Sequence, residues 1–396
     1  MDRIEKATGE KTSCLFAADN DQYASTIYKN MYGIEALYDL KSEDTHKYIS
    51  ECIGEKQLDY LFAGFPCQPF SKAGNQEGFN NETKGTLFFE IEKIVERHKP
   101  KLILLENVRN LAKHDSGKTW KIIKNKLSDL GYYVDYIIIS PNEIPGKRIP
   151  ALRDRIYIMC YRKDLKINRK CFFEGEKDRL KKEKTSIYNY RNFQKGLSSK
   201  YFDVGRTSDI EKEKIEVIEM WNDLYHMLKE NDREIISPLW PHYFSAKLDE
   251  IDEPDWKKKI IKRNQDFYTK NRDIYDLWYK KHKSIFDKQT RSNQKFEWNA
   301  GNYIDDIWKG IIQFRPSGVR VKKPDFIPTL VAITQTPIIG AERRYMKPDE
   351  MARLYGFKKI NFGKQPIKET YKQLGNTVSV DVVEYLINFM MKTIQE

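Results

Sequence analysis

The chain has 396 residues, 40% hydrophobic and 32% charged, enough apolar material for one large core or for a core carrying an inserted second domain. No apolar run reaches the roughly 18 residues of a membrane span. Met1–Thr8 has no apolar segment of the secretory kind, so the chain reads as cytoplasmic with no membrane partner. Lys plus Arg total 70 against 58 Asp plus Glu, and the net charge of +12 favours a polyanionic partner, nucleic acid first, although many lysine-rich proteins bind nothing anionic.

Five scattered cysteines (Cys14, Cys52, Cys67, Cys160, Cys171) form no CxxC pair. That pattern argues against a disulfide framework and a zinc site, so no metal is expected and any thiol that matters acts as a nucleophile or as packing.

Along the chain, Leu58–Ala63 reads as a buried strand, and Thr86–Arg97 has helical spacing through Leu87, Phe88, Ile91, Ile94 and Val95. Lys101–Leu105 is a second buried strand, Trp120–Leu130 a helix, and Tyr132–Ile139 and Arg155–Cys160 further strands. Strand and helix in turn, with near-continuous apolar strands, predict a doubly wound α/β sheet of Rossmann-like type. After about Asp164 that rhythm stops, and residues 170–320 are richer in Lys, Asn, Tyr and Trp. The expected organisation is a core of residues 1–168, an inserted smaller domain of 169–324, and a return to the core at 325–396.

Within the insertion, Asp255–Lys295 holds 13 Lys and Arg against 5 Asp, interleaved with Trp256, Phe267, Tyr268, Tyr275, Trp278, Tyr279 and Phe286. Phosphate neutralisation and base stacking use that mixture. An amphipathic helix pair with a core of aromatics and a solvated basic face has the same pattern. From Asp325 regularity returns: Lys347–Phe357 reads as a helix with Pro348 at its start and Gly356 near its end, and Val382–Met391 as an apolar helix.

Three segments carry chemistry. In Phe62–Ser71 a buried strand runs into Pro66-Cys67-Gln68-Pro69, a stiff turn that presents one thiol at the carboxyl edge of the sheet, where open α/β sheets bind ligands. In Leu102–Val108, Glu106 closes an apolar strand at the same edge, where partial desolvation would raise its pKa and let it hold a proton. In Ile149–Ile158, Arg153 and Arg155 lie two apart in extended chain and project from one face, suited to a base edge, a carboxylate or a phosphate.

The Pro-Cys-Gln-Pro-Phe-Ser loop, Glu-Asn-Val, Arg-Asp-Arg and terminal Gln-x-Gly-Asn-Thr-Val stand in the order found in DNA (cytosine-5) methyltransferases, mostly of restriction–modification systems. The chain resembles that family over about residues 12–165 and 325–396, with the insertion in the place of its target-recognition domain. The resemblance implies that Cys67 adds to cytosine C6, that Glu106 hydrogen-bonds N3 and the exocyclic amine, and that Arg155, with Arg153 in support, binds the O2 side. It implies S-adenosylmethionine as methyl donor. Asp19 would sit on the ribose hydroxyls, Asn20 beside the adenine and Asp39 on its amino group, with Phe65, Pro66, Leu87 and Asn376 at the remaining cofactor positions. It further implies a double-stranded DNA substrate with the target base flipped out, a loop at Lys72–Lys84 to close over it, a monomer, and pairing with a cognate endonuclease.

Two departures stand out. The family has a first strand and a Gly-rich turn ahead of the strand that leads to Asp19, whereas here Met1–Lys11 supplies one glycine, Gly9, and the look of the helix that follows that turn. An upstream start, or a truncated relic that binds DNA without catalysis, is the expectation this raises, ahead of a separate complementing peptide. The second departure is Ala151, where the family usually has glutamine before the arginine pair. A tRNA-directed relative is the remaining reading, and the large basic insertion speaks against it.

Overall fold

The computed structural model describes residues 2–66, 87–147, 149–167, 210–330 and 335–394; Cys67 and the expected closing loop Lys72–Lys84 lie outside these. Two compact units divide the chain, Met1–Tyr188 with Ala352–Glu396, and Asn189–Met351. In chain order the first contains α1 (Asp2–Thr8), α2 (Gln22–Tyr32), α3 (Glu43–Ile53), β1 (Tyr60–Gly64), α4 (Leu87–His98), β2 (Leu102–Val108), α5 (Lys118–Asp129), β3 (Tyr132–Ile139) and β4 (Arg155–Arg162). The second contains α6 (Lys212–Glu230), α7 (Asp255–Phe286), β5 (Phe296–Asn299), β6 (Ile311–Arg315), β7 (Gly318–Lys322), β8 (Ile338–Ile339) and β9 (Arg344–Tyr345). After α8 (Pro348–Leu354) come α9 (Ile367–Asn376) and α10 (Val380–Thr393), which belong to the first unit.

The first unit is built on a four-stranded sheet of order β1-β2-β4-β3. β1 and β2 run parallel, with Phe62 opposite Leu104, and α4 makes the crossover between them. β4 is antiparallel to both its neighbours, so Cys160 faces Ile103 on one side and Val134 on the other. The sheet is therefore mixed, because only one helical turn at Pro141–Glu143 lies between β3 and β4, and the chain returns without a crossover helix.

Apolar residues at helical spacing explain the layer on one face. Phe88, Ile91, Ile94 and Val95 of α4, Ile49 and Ile53 of α3, and Ile123 and Leu127 of α5 pack with Ile103, Leu105, Ile158 and Cys160 of the sheet. The alternate strand residues, among them Leu104, Tyr157, Met159 and Tyr161, are equally buried. There the last turn of α10 meets the sheet, where the Tyr60 hydroxyl donates to the Met391 sulfur at 3.8 Å. A buried His46–Glu90 contact of 2.9 Å ties α3 to α4.

The strand expected ahead of Asp19 is not formed. Among the described residues Ser13–Ala18 joins no ladder, and the nearest pairing is a lone parallel bridge from Asp19 to Leu37. A strand needs a neighbour to pair with, and among the described residues none pairs with this segment.

In the second unit the sheet order is β5-β7-β6-β8-β9. The division from the first unit falls at 351/352, where the sequence pattern placed the return at about 325. The reason is local: the short strands β8 and β9 continue the second sheet through β6, and two-residue strands leave no periodicity to read. The basic stretch 255–286 is one 32-residue helix with a kink at Asn271, and most of its aromatics point inward. Phe267, Tyr275, Trp278 and Phe286 are buried with Trp221, Phe296 and Trp298, while Trp256 stays exposed. Trp221 stacks on Trp278 at 5.2 Å and on Phe296 at 5.1 Å, and the Trp278 indole donates to the Met220 carbonyl at 2.7 Å. Truncating Trp278 removes the ring and this bond together. Trp278→Ala should cost about 3–5 kcal/mol in urea unfolding, and a loss below about 1 kcal/mol would contradict this packing.

Candidate active site

Because β1 and β2 are parallel and in register (Gly64 opposite Glu106), their carboxyl ends finish side by side. Asn107, buried one residue beyond Glu106, donates from Nδ2 to the Phe65 carbonyl at 2.8 Å. Its Oδ1 accepts from the Val108 amide at 2.7 Å. The main chain that leads through Pro66 to Cys67 is thus fastened to the end of β2.

β4 runs back past the same edge and brings Arg155 opposite Val108. Arg155 Nε lies 2.9 Å from Glu106 Oε1, an ion pair with both side chains mostly shielded from solvent. Burial raises the pKa of Glu106, and the Arg155 and Arg153 charges oppose the rise without cancelling it. Arg155 is likewise pulled down by burial and by Arg153, against the attraction of Glu106. The pair is therefore electrostatically tense, with a carboxyl that holds its proton more readily than an ordinary glutamate.

Arg153, by contrast, turns away from that pair. It is buried, donates from Nη2 to the Gly375 carbonyl at 2.9 Å and to the Thr377 carbonyl, and lies 5.1 Å from the centre of the Tyr355 ring. Its amide donates to Ser140 Oγ at 2.7 Å. This guanidinium braces the C-terminal end of α9, where Asn376 sits.

One cleft of about 1550 Å³ collects these groups. Glu106, Arg153 and Arg155 line it, and so do Asp19, Asn20, Asp39, Phe65, Pro66, Leu87 and Asn376. Every described residue singled out in the sequence thus reaches one wall or another of the same cleft, and Cys67 follows directly on Pro66. Asp19 is at the rim and accepts from the Asp21 amide at 2.8 Å. The concave walls desolvate its carboxyl and push the pKa up, although the residue as a whole is exposed. Asp39, also exposed, accepts from the Lys41 amide at 3.0 Å.

A clamp that sequence reasoning missed holds this wall. Asp21 caps α2 by accepting from the Tyr23 and Ala24 amides, and it also accepts from Lys372 Nζ and Gln373 Nε2, each at 2.8 Å. Burial works to raise its pKa, but the Lys372 ammonium and the two amides outweigh burial and hold the carboxyl below its usual range. An Asp just ahead of a helical pattern was a readable capping signal; nothing in the sequence paired it with Lys372. Tyr355 under Arg153 was likewise invisible.

Acceptors and donors at a parallel strand edge, above an apolar wall, define an α/β site for a polar, partly planar ligand. Residues 4–392 match the model of the C-5 cytosine-specific DNA methylase family, and the chain belongs to that family, whose members are S-adenosylmethionine-dependent DNA methyltransferases. It is 29% identical to the Type II methyltransferase M.AluI of Cellulosimicrobium cellulans over 94% of this chain and 87% of that protein. Over 39% of this chain and 44% of the relative it is 37% identical to M.HhaI of Haemophilus parahaemolyticus. The M.BanI methyltransferase of Aneurinibacillus aneurinilyticus is 40% identical over 40% of this chain and 34% of its own length. The crystal structure of the S. pombe Dnmt2 methyltransferase aligns over 99% of this chain and 95% of that one, at 17% identity and a TM-score of 0.47.

The residues present fit the adenosyl part of the methyl donor. Carboxylates at the rim can accept from hydroxyl and amine donors, and Phe65 and Leu87 offer an apolar surface beside them. Among the described residues no group of His, Cys, Asp and Glu is placed to hold a metal, and no helix is long and apolar enough to cross a membrane.

The clamp makes a signed prediction. Asp21→Asn keeps the cap acceptor but removes the charge that pairs with Lys372, so it should lose up to about 1 kcal/mol of stability at neutral pH. A carboxyl depressed in the folded state stabilises above its unfolded pKa and loses that contribution as pH falls through the folded value. The gap between wild type and variant should therefore narrow below about pH 4 in denaturation curves, and a gap independent of pH would remove the Lys372 pairing from the argument.

Proposed function

We propose that this chain methylates C5 of a cytosine within a specific double-stranded DNA sequence, as the protecting partner of a restriction endonuclease. It would do so as a monomer in the cytoplasm. The observation that carries this reading is the Glu106–Arg155 pair at the strand edge beside Phe65–Pro66, with Cys67 the next residue.

Cytosine C5 is too poor a nucleophile to be methylated directly. In this reading the Cys67 thiolate forms a bond to C6, the C5–C6 double-bond electrons move to C5, and C5 takes the methyl group. Loss of the C5 proton then restores the double bond and expels the thiolate. Glu106, whose pKa is raised by desolvation, would donate toward N3 when protonated and accept from the exocyclic amine. Arg155 steadies both Glu106 and the O2 side of the ring, and Arg153 acts through the Gly375–Thr377 main chain it braces. The base reaches this pocket only when flipped from the duplex. S-adenosylmethionine, when bound by Asp19, Asn20, Asp39, Phe65, Pro66, Leu87 and Asn376, supplies the methyl group.

Residues 169–324 are the target-recognition domain in this reading, and their lysines and arginines supply phosphate contacts. The exposed Trp256, beside Lys257, Lys258 and Lys259 at the start of α7, supports it.

Cys67→Ala should abolish methyl transfer from labelled S-adenosylmethionine to duplex DNA while duplex binding, followed by fluorescence anisotropy, persists. Retained transfer would reject Cys67 as the nucleophile. Glu106→Gln should lower kcat by about 10²–10⁴-fold. In the wild type, activity that needs the Glu106 proton is lost as pH rises through its raised pKa, and the variant should lack that limb of the pH–rate profile.

A further inference from the structure

We propose that Arg315 and Lys322, on the polar face of the second unit's sheet, clamp backbone phosphates of duplex DNA and so set where that unit lies along the double helix, without reading its bases. The proposal deepens the DNA reading given above and rests on it. The sheet has two unlike faces. Phe296 and Trp298 of β5, Ile312 of β6, and Val319 and Val321 of β7 are buried in the aromatic core. Strand alternation turns the residues between them the other way, and the ladder register sets Arg320 beside Glu297 on that second face. Lys322 follows two positions on from Arg320, and Arg315 ends the neighbouring strand β6.

The charges on this face do not cancel. Glu297 is spent on Arg320, whose Nε lies 2.5 Å from its Oε2. Among the described residues Arg315 has no hydrogen bond or ion pair, although it is half-buried and its Nη1 is shielded from solvent. Lys322, also half-buried, has no ion pair among the described residues either, and Asp325, which attracts it, is held by Lys323 at 2.9 Å. Burial pushes the pKa of both cations down and the Arg320 charge adds to the fall, while Glu297 pulls on Arg315 and Asp325 on Lys322 in the other sense. Trp240, one residue past the bridge that Leu239 makes to Phe296, is a further donor in need: its buried Nε1 has no partner among the described residues.

A cation that has lost water and gained no acceptor destabilises the fold that holds it. Water restores its hydrogen bonds but brings no opposite charge. A phosphodiester brings both, and its oxygens suit a guanidinium fork and an ammonium alike. A base edge brings acceptors without charge, and reading one takes an arginine that reaches out into a groove. Arg315 instead keeps Nη1 back against the sheet, so the contact it can offer positions the duplex and carries no sequence information.

The test is fluorescence anisotropy of the whole chain with a panel of short labelled duplexes of unrelated sequence, between about 50 and 200 mM salt. Arg315→Gln and Lys322→Gln should each flatten the slope of log K against log salt by about 0.9, so that each variant's loss of affinity shrinks about threefold across that range. The loss should be alike on every duplex, and Arg315→Lys, which keeps the charge, should keep the slope. Both Gln variants should melt at the wild-type temperature, since each removes a charge that the fold leaves unpaired. An unchanged slope, a loss confined to some sequences, or a lowered melting temperature overturns the proposal. Wild type that binds no duplex overturns the DNA reading and this proposal together, whereas wild type that binds, with variants of unchanged slope, overturns this proposal alone. Flattened slopes in a chain that transfers no methyl group uphold the phosphate contact and remove the catalytic reading alone.

Discussion

A carboxylate and a guanidinium 2.9 Å apart, on the ends of two antiparallel strands, set the terms for the whole of the first unit. Neither charge is cheap at that depth, since each loses hydration and regains only part of the loss from its partner. The pair persists because the backbone gives it no alternative: seven register positions join β2 to β4, and they bring Glu106 and Arg155 to the same rim. The stress appears as a glutamate with a raised pKa, which is what proton donation to a neutral base ring asks for. The same strand carries Asn107, whose side chain is spent on the Phe65 carbonyl, so one buried strand positions the proton donor and the approach to the nucleophile together.

Much of this core was legible because its signals are local and strong. Strands of the core are written as apolar runs, and Tyr60–Gly64, Leu102–Val108, Tyr132–Ile139 and Arg155–Arg162 lie within a few residues of where those runs fall, although Tyr60–Gly64, expected to be buried, exposes Phe62. Charged residues ending such runs were equally readable. What failed to show depends on distant pairing. Lys372 meets Asp21 across 351 positions, and Arg153 meets Thr377 across 224, with nothing near either residue to announce the partner. The direction of β4 was hidden for a related reason, since an apolar run says that a strand is buried and says nothing of which way its neighbours run.

The second unit shows the opposite balance. Its sequence pattern left two uses open for the aromatics of 255–286, and packing decided most of them. Phe267, Tyr275, Trp278 and Phe286 follow one another at spacings of eight, three and eight on one helical face and are buried, while the charges occupy the other face. Many of those charges are held in i,i+4 pairs such as Lys262–Asp266, Arg272–Asp276 and Lys283–Asp287. Exposed pairs of this kind add only about 0.3–0.5 kcal/mol each, so they decorate the helix more than they hold it. The aspartates are outnumbered, however, and the excess of Lys and Arg remains for a polyanion.

The cleft joins these themes through the cost of unpaired backbone. Among the described residues β1 pairs on one side only, and Ser13–Ala18 joins no ladder. Isolated extended segments gain little from propensity and much from neighbours, so each edge is weakly fixed until something pairs with it. Asp19 hangs from one of these segments and Phe65 continues the other. The groups expected to grip the methyl donor and to aim the thiol are thus attached to the least supported parts of the unit, while Glu106 and Arg155 are attached to the best supported. Rigidity at the proton donor and looseness at the cofactor wall follow from which edges have partners.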